Sequence, residues 1–382
     1  MRGLPDLFFK YIPLYIYTSV KKTGNSQWLI SERPTDARDN GYYLFKWIRE
    51  NHPEVNVCYA IRKDSQDYQK VKSLGRVLEW GSYEHYKSFL TSTLLCSTDF
   101  GLCAPNSRIV KLVSKFMPVK GHKVFLQHGI TKDNIRHGHQ DKMGVSLFVC
   151  GAYPEWEYID KNFGYSKGEA KYLGFARYDN LFNTTTKKQI LYMPTWRFWL
   201  REEGGFESSN YYKALCSFLG SDKLRSILNE SQSEFVFFVH PAMREKKDYF
   251  KQFETDRIKI MNNDDIDLQV LLKSCSMLIT DYSSIYFDVA YLNKPVVYYQ
   301  FDVEEYRRRQ YAEGYFSYER DGFGPVIKKE DEILSYLSKR ARNEFENSAE
   351  YASRANRFFP LRDHNNCQRH YEELCKLDPY NH

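Results

Sequence analysis

The stretch LITDYSSIYFD, residues 278–288, indicates most clearly how this chain folds. An apolar run that ends at Thr280 is typical of a buried strand, and Asp281, Ser283 and Ser284 are residues that begin helices. A strand that passes directly into a helix is the repeating unit of parallel α/β sheets. The N–H groups of such a helix start, together with the serine hydroxyls, favour the binding of an anion such as a pyrophosphate.

The same alternation of strand and helix extends outward from this stretch in both directions. In the first half the apolar runs end near Ser31, Ile61, Ser97, Gln127 and Cys150, and helical spacing lies between them. In the second half the pattern repeats from about Gln189 to Tyr299, and after about residue 330 it is helical only. Each half therefore predicts a doubly wound parallel sheet.

The polar stretch 183–188 separates the two halves and predicts the boundary between them. We expect a Rossmann-like domain over residues 1–182 and a second over residues 183–382, which includes the closing helices. Two such domains with a helical C-terminal tail describe the GT-B architecture, in which they face each other across a cleft. Ligands of open α/β sheets bind at the carboxyl ends of the strands, so the site is expected there.

Composition and charge exclude several classes of protein. Apolar residues make up 42% of the 382 residues and charged residues 27%, which is typical of a folded globular protein. A net charge of +6 fits a phosphate-bearing substrate or an anionic lipid surface and falls short of a nucleic-acid-binding signature. The eight cysteines form no CxxC pair, and we interpret them as free thiols in a reducing cytoplasm.

The N-terminal segment 1–22 is aromatic and basic, and it is too short to span a bilayer. It lacks the small-residue cleavage site of a signal peptide. One interpretation is an interfacial segment that lies on an anionic leaflet, and the other is a first helix that packs on its domain. The sequence leaves both open.

Two histidines follow apolar strands directly, one in each half. His128 is followed by Gly129 and, shortly after, by Lys132; His240 is followed by proline and then by Arg244. An imidazole at a strand end lies where such folds keep their sites, and a single one is more often a capping residue. Two of them, one per domain, favour a functional interpretation.

Other polar residues complete the predicted donor site, and several known motifs are missing. Arg197 follows the first strand of the second half, where its guanidinium is placed to bind a phosphate, and Asp288 is placed to accept hydrogen bonds from a ribose diol. There is no GxGxxG after a strand, no Walker A motif and no Asp-x-Asp metal–diphosphate motif. We therefore expect no cofactor and no metal.

Taken together, these motifs resemble the CDP-glycerol:poly(glycerophosphate) glycerophosphotransferase family, which builds teichoic acids and related capsules. The resemblance covers roughly residues 120–302, and the opening residues 31–41 also look like capsule-type members. It rests on four matching motifs: His128-Gly129 with Lys132; Pro194-Thr195-Trp196-Arg197; His240-Pro241; and Thr280-Asp281-Tyr282-Ser283-Ser284 with Asp288. The chain departs from the polymerases at Gln127, where tryptophan is frequent, and the loop to Lys132 is one residue shorter.

The resemblance implies CDP-glycerol as donor, CMP as product and peripheral attachment to the cytoplasmic face of a bacterial membrane. His128 and His240 match the family's two catalytic histidines. The acceptor it implies is a polyol-phosphate or polysaccharide polymer, lipid-linked, with Gly129 and Lys132 on the acceptor side.

In the resulting hypothesis an acceptor hydroxyl attacks the phosphorus that bears the glycerol. His128 acts as general base, and His240 hydrogen-bonds the diphosphate. Arg197, Arg244 and the helix start at Ser283 neutralise its charge in place of a metal. The alternatives are the same chemistry with CDP-ribitol, a GT-B glycosyltransferase or nucleotide-sugar epimerase, and a binding module without activity.

Overall fold

Two compact units make up the molecule. The computed structural model describes residues 4–20, 25–182, 184, 187–200, 205–309 and 314–380. The first unit consists of Met1–Ile130, Ile135–Asn180 and Leu361–His382, and the second of Thr131–Asn134 and Leu181–Pro360.

The first unit contains a sheet of seven parallel strands in the order β3-β2-β1-β4-β5-β6-β7. Strand order reverses between β1 and β4, which are neighbours in the sheet, and Ser31 of β1 pairs with Ser97 of β4. The strands are β1 Trp28–Ser31, β2 Val57–Ile61, β3 Val77–Glu79, β4 Leu94–Ser97, β5 His122–Phe125, β6 Leu147–Cys150 and β7 Ala170–Tyr172.

Helices cover both faces of this sheet. Leu29 of β1 packs in the core on one face, and Trp28 and Ile30 pack in the core on the other, because successive side chains of a strand alternate. The helices are α1 Leu4–Asp6, a π-helical turn Leu7–Tyr11, α2 Ile12–Val20, α3 Asn40–Asn51, α4 Tyr68–Lys72, α5 Tyr83–Thr91, α6 Ser107–Val113, α7 Gln140–Met143 and α8 Tyr153–Asn162, with 3-10 turns at Arg136–Gly138 and Ala176–Asn180.

The second unit contains a sheet of six parallel strands in the order β10-β9-β8-β11-β12-β13. Here the order reverses between β8 and β11. The strands are β8 Gln189–Tyr192, β9 Glu234–Phe238, β10 Ile258–Met261, β11 Met277–Thr280, β12 Val296–Tyr299 and β13 Val326–Ile327. The helices are α9 Asn210–Gly220, α10 Asp222–Ser231, α11 Leu268–Ser274, α12 Ile285–Tyr291, α13 Val303–Arg309, α14 Tyr318–Asp321, α15 Glu330–Arg342 and α16 Ala349–Phe358, with 3-10 segments at Phe198–Leu200 and Pro241–Phe253.

The last helix, α17 (Asn366–Leu377), belongs to the first unit. The carboxylate of Asp179 accepts the backbone N–H groups of Asn366 at 2.9 Å and Cys367 at 2.7 Å, which fixes the start of the helix. Gly174, with φ of +74°, lies against Asn366 so closely that a Cβ would overlap it. The sequence-based division placed this tail in the second domain, whereas the structure groups it with the first unit. The sequence does not show this, because contacts between distant parts of the chain leave no local pattern.

Both predicted Rossmann-like sheets are confirmed. Two short edge strands, β7 and β13, were missed because three or two residues give too little periodicity. The predicted linker falls partly outside the described residues, at positions 183, 185 and 186, and so do residues 1–3 and 21–22 of the N-terminal segment.

The N-terminal helices pack on the first unit, as one of the two interpretations expected, and they also carry exposed aromatic side chains. Leu7, Tyr11 and Leu14 are buried in the first core, while Phe8 and Phe9 are exposed. Among the helices that the structure describes, none has both the length and the apolar character needed to cross a bilayer.

Candidate functional site

His128 lies just beyond the carboxyl end of β5, in a loop that its neighbours hold in place. The residue before it, Gln127, adopts a left-handed backbone with φ of +58°. Its side-chain amide donates to the carbonyl oxygen of Val149 at 2.7 Å and to Oε1 of Glu155 at 3.1 Å. The amide of buried Asn40 donates to the carbonyl oxygen of Gln127 at 2.8 Å. These bonds offset the cost of a left-handed glutamine, which has a Cβ.

The imidazole of His128 is exposed, and one hydrogen bond sets its tautomer. Nδ1 lies 3.0 Å from the carbonyl oxygen of Thr98, which follows β4. Because a carbonyl oxygen only accepts, Nδ1 must carry the proton. The neutral ring therefore presents the lone pair of Nε2, the form that a general base requires.

His240 lies just beyond β9, and its Nδ1 accepts a hydrogen bond where that of His128 donates one. Its Nδ1 accepts the backbone N–H of Ala242 at 3.1 Å, at the start of the 3-10 segment Pro241–Phe253. The proton of the neutral ring is therefore on Nε2, which acts as a donor. Arg244 lies in the same segment and is exposed, so its guanidinium is accessible to an anion.

Arg197 is in a buried ion network and not at a phosphate site. Its guanidinium is 0% exposed and contacts Asp281 at 2.8 Å and Asp302 at 2.8 Å, and it donates to the carbonyl oxygen of Thr195 at 2.6 Å. Burial raises the pKa of Asp302, although Arg197 acts to lower it. The prediction that Arg197 binds a phosphate is corrected, because its guanidinium N–H groups already donate to two carboxylates and a carbonyl oxygen.

Thr280 and Asp281 are also internal. The hydroxyl of Thr280 donates to the carbonyl oxygen of Met193 at 2.8 Å, and Oδ1 of Asp281 accepts the N–H of Thr195 at 2.7 Å. These bonds join the ends of β8 and β11, where the strand order of the second sheet reverses. Both side chains are therefore buried and stabilise the edge of the sheet. This corrects the prediction that they contact the donor molecule directly.

The helix start at α12 supplies the accessible polar groups of this edge. Ser284 is exposed, Ser283 is half-buried, and the hydroxyl of Ser283 accepts the N–H of Ile285 at 3.4 Å. Asp288 lies within α12 and is only 2% exposed.

Gly129 belongs with His128 to the first unit, whereas Lys132 groups with the second. Residues 131–134 group with the second unit, where the ammonium group of Lys132 is buried in an ion pair with Asp133. Burial lowers the pKa of Lys132, and Asp133 acts in the opposite direction. Lys132 therefore cannot serve as an exposed acceptor contact, which corrects the sequence-based expectation.

Sequence reasoning missed Thr98, Asn40 and Asp302. Asp302 stands just after β12 and was detectable by the strand-end rule that identified the histidines. Thr98 acts through its backbone oxygen and Asn40 through contacts 87 residues away, so neither leaves a sequence signal. Over the described ranges, no three His, Cys, Asp or Glu residues are grouped so that they hold a metal ion.

Comparison with known families gives one match that spans nearly the whole chain. The model of the CDP-Glycerol:Poly(glycerophosphate) glycerophosphotransferase family matches residues 14–376. The minor teichoic acid biosynthesis protein GgaB of Bacillus subtilis is 30% identical over 369 residues, 92% of this chain and 40% of that protein. The teichoic acid poly(glycerol phosphate) polymerase of the same organism is 24% identical over 340 residues, 78% of this chain and 41% of that protein. The chain thus spans less than half the length of these relatives.

The fold is also found among solved structures. The wall teichoic acid polymerase TagF superposes with a TM-score of 0.70 at 14% identity, over 97% of this chain and 95% of that chain. At this identity the likeness concerns the fold alone.

Proposed function

We propose, because the chain belongs to the CDP-glycerol:poly(glycerophosphate) glycerophosphotransferase family, that it transfers glycerol phosphate from CDP-glycerol to a hydroxyl of a cell-envelope polymer. The second product is CMP. In this proposal the first unit supplies the general base and the second unit binds the donor.

The observation that carries the proposal is the opposite hydrogen bonding of the two histidines. Nδ1 of His128 donates to a carbonyl oxygen, and Nδ1 of His240 accepts from an N–H group. The other ring nitrogen, Nε2, is therefore an acceptor in neutral His128 and a donor in neutral His240. A transferase of this class needs one group that takes a proton from the attacking hydroxyl and another that stabilises a phosphate oxygen.

Three of the four donor groups proposed for the second unit remain accessible, and the fourth, Asp288, is buried in α12. Arg244, Ser283 and Ser284 lie beyond the carboxyl ends of β9 and β11, where open α/β sheets bind their ligands. The guanidinium of Arg244 neutralises the diphosphate, and the serine hydroxyls and nearby N–H groups donate hydrogen bonds to its oxygens. Asp288 binds the ribose hydroxyls. Arg197 acts only by holding Asp281 and Asp302 in place.

The reaction forms one P–O bond and breaks another. The acceptor oxygen attacks the phosphorus that bears the glycerol, and its proton passes to Nε2 of His128. The bond from this phosphorus to the bridging oxygen of the diphosphate breaks, and CMP leaves with the electron pair. His240 donates from Nε2 to an oxygen of the diphosphate, so that negative charge on the leaving phosphate is stabilised.

We also propose that the first unit binds the cytoplasmic face of the membrane, where a lipid-linked acceptor is found. Phe9 is 78% exposed on the N-terminal helices, and Phe116, just after α6, is 85% exposed. The two segments are neighbours, since the hydroxyl of Tyr11 donates to the carbonyl oxygen of Met117 at 3.0 Å. Exposed lysines accompany them at positions 111, 115 and 120, which suits anionic lipid.

The proposed function is tested by product release. The purified chain is incubated with CDP-glycerol and a lipid-linked glycerol-phosphate acceptor in EDTA, and CMP is measured by chromatography. We expect CMP and an equal amount of transferred glycerol phosphate, and neither product with His128→Ala. If the wild-type chain releases no more CMP than this variant, the proposal is wrong.

Two further donors separate the alternatives. CDP-ribitol in the same assay measures donor choice, and faster release of CMP from it would move the assignment to ribitol phosphate. UDP-N-acetylglucosamine tests the epimerase and glycosyltransferase alternatives, for which we expect neither UDP release nor epimerised product. Turnover of that nucleotide sugar would contradict the proposal.

A further inference from the structure

A cavity of about 400 Å³ opens within the first unit, and none of its lining residues is among those proposed to bind the donor. It lies where the strand order of the first sheet reverses, because Glu32 follows β1 and Ser97 and Asp99 are at the end of β4. This position is the one at which doubly wound sheets bind ligands. Its volume is in the usual range for a small-molecule site.

The cavity is joined to the His128 loop by a direct bond. Thr98, whose carbonyl oxygen accepts from Nδ1 of His128, stands between the lining residues Ser97 and Asp99. A ligand in the cavity therefore rests against the segment that orients the proposed base.

The loop after β4, which lines the cavity, and the His128 loop both contain unusual backbone. Leu102 and Cys103 are consecutive residues with φ of +48° and +63°, and Gln127, just before His128, has φ of +58°. A left-handed conformation is unfavourable for residues with a Cβ, and such strain is concentrated at functional sites. The bend at Leu102 and Cys103 leads the chain from β4 around the cavity to Asn106.

Three consecutive residues of the lining, Asn106 to Arg108, keep polar groups that bond no protein partner in the described ranges. Oδ1 of Asn106 accepts the N–H of Ile109 at 3.3 Å, while its amide group has no protein partner in the described part of the chain. Ser107 and Arg108 are exposed, and within the same ranges the guanidinium of Arg108 makes no ion pair. This side of the cavity therefore presents an amide, a hydroxyl and a guanidinium.

The rest of the lining combines apolar surface with the carboxyl groups of Glu32 and Asp99. Trp80 and Pro34 supply the apolar surface, and buried Glu32 accepts the N–H groups of Arg38 at 2.9 Å and Tyr42 at 2.7 Å. Burial, followed by the nearby Asp39 carboxylate, raises the pKa of Glu32 to about 8. With this pKa the Glu32 carboxyl group is largely protonated at neutral pH, so the cavity lining carries less negative charge than it would with an ionised Glu32.

We propose that this cavity binds the terminal unit of the acceptor, a hydroxyl-rich unit that carries a phosphate. Arg108 binds the phosphate with a bidentate pair of hydrogen bonds, and Asn106 and Ser107 hydrogen-bond the hydroxyl groups. Trp80 packs against the C–H groups of the carbon chain or ring. The inference rests on the proposed function, since it names the acceptor site for the hydroxyl that His128 deprotonates.

Binding is tested without turnover by thiol protection. Ser107→Cys places a thiol at the cavity, and Ser114→Cys places one at the end of the same helix, away from it. Both are treated with iodoacetamide, and modification is followed by peptide mass spectrometry. Glycerol 3-phosphate and glucose 6-phosphate serve as probes, and inorganic phosphate is the control for the anion alone.

We expect one or both probes to slow modification of Ser107→Cys several-fold and to leave Ser114→Cys unchanged. Protection by glycerol 3-phosphate indicates a polyol-phosphate acceptor, and protection by glucose 6-phosphate a sugar-phosphate acceptor. Equal modification with and without both probes overturns the inference, as does protection that inorganic phosphate reproduces in full.

Kinetics give the second test, with a matched pair of charge changes in the first unit. Arg108→Gln should raise the KM for the acceptor about tenfold, as expected for a lost charged hydrogen bond, and leave the KM for CDP-glycerol unchanged. Lys72→Gln, at an exposed lysine outside both the cavity lining and the proposed membrane surface, should change neither.

The outcomes separate this inference from the proposed function. An unchanged acceptor KM in Arg108→Gln, in a chain that does release CMP, overturns only the acceptor site. A wild-type chain that releases no CMP overturns the proposed function, while the protection assay still decides whether the cavity binds a phosphorylated polyol or sugar.

Discussion

His128 and Thr98 are joined by a 3.0 Å bond from the ring Nδ1 to a backbone carbonyl oxygen. This bond gives the ring one orientation and one tautomer. His240 is bonded at the same ring nitrogen by an N–H donor and so has the other tautomer. Two histidines with the same sequence context, each just after an apolar strand, are thereby prepared for different tasks.

The different tasks predict different defects in the two alanine variants. His128→Ala should bind CDP-glycerol nearly as the wild type does and lose about 10²- to 10⁴-fold in rate, the usual range for a lost general base. His240→Ala should lose donor affinity as well as rate, because its contact exists before the reaction. Calorimetric titration and single-turnover rates measure both. Loss of donor binding in His128→Ala alone would reverse the two roles.

The buried network predicts that Arg197 contributes to stability and Arg244 to binding. Arg197→Met should lower the free energy of unfolding by about 3–5 kcal/mol, because two buried carboxylates lose their partner. Arg244→Met, the matched change at an exposed arginine, should leave stability unchanged and weaken CDP-glycerol binding. Urea denaturation of both variants gives the comparison. Equal unfolding midpoints for Arg197→Met and the wild type would contradict the structural role.

The proposed ribose contact predicts a specific loss in Asp288→Asn. Removal of a charged acceptor of two hydroxyls should weaken CDP-glycerol binding by about 1.5–3 kcal/mol, while the unfolding midpoint stays close to that of the wild type. Asp265→Asn is the control, since that carboxylate forms an ion pair with Lys247 in the same unit. Unchanged donor affinity in Asp288→Asn would end the ribose assignment.

The exposed aromatics predict that membrane binding depends on the first unit. The double variant Phe9→Glu, Phe116→Glu should bind anionic liposomes at least tenfold more weakly, because each buried phenyl ring contributes about 1.5–3 kcal/mol. Phe182→Glu, at an exposed phenylalanine of the second unit, is the control. Co-sedimentation with vesicles containing phosphatidylglycerol provides the measurement. Equal sedimentation of the double variant and the wild type would refute the proposed surface.

The buried His370 predicts a loss of stability in acid. Burial lowers its pKa to about 4, and its Nε2 donates to the carbonyl oxygen of Gly174 at 2.8 Å. The unfolded chain, in which histidine has an ordinary pKa of about 6.5, binds the proton more readily. Stability from this group is therefore complete above about pH 6.5 and is lost as the pH falls toward 4, by at most about 3 kcal/mol.

His370→Gln tests this dependence. The variant is expected to be less stable at pH 7, and its unfolding midpoint in urea should fall less than that of the wild type between pH 7 and pH 4.5. If both proteins lose the same stability over this interval, His370 does not take up the proton.

Much of the fold was predictable because short stretches of sequence indicate its strands and helices. Strands buried on both faces read as continuous apolar runs, as in β11 and β12, and serine or aspartate begins the helices that follow. The strand-end rule placed His128 and His240 at the carboxyl edges of their sheets, and the family resemblance indicated by the motifs is confirmed.

The same rule predicted a phosphate contact for Arg197, which is instead buried in an ion network, and the reason is physical. A sequence shows that a charged residue follows a strand and does not show what lies against it. Arg197 is surrounded by Asp281 and by Asp302, which is 105 residues away, and burial among carboxylates makes it a structural cation.

The sequence alone determined the two parallel sheets, the family and the two histidines, because each depends on short patterns of polar and apolar residues. The tertiary structure alone decided which arginine is accessible, which nitrogen of each imidazole carries the proton, and where a cavity opens beside Thr98. These depend on backbone oxygens, N–H groups and carboxylates that folding brings together from distant parts of the chain, and the free energy of such contacts is set by distance in space.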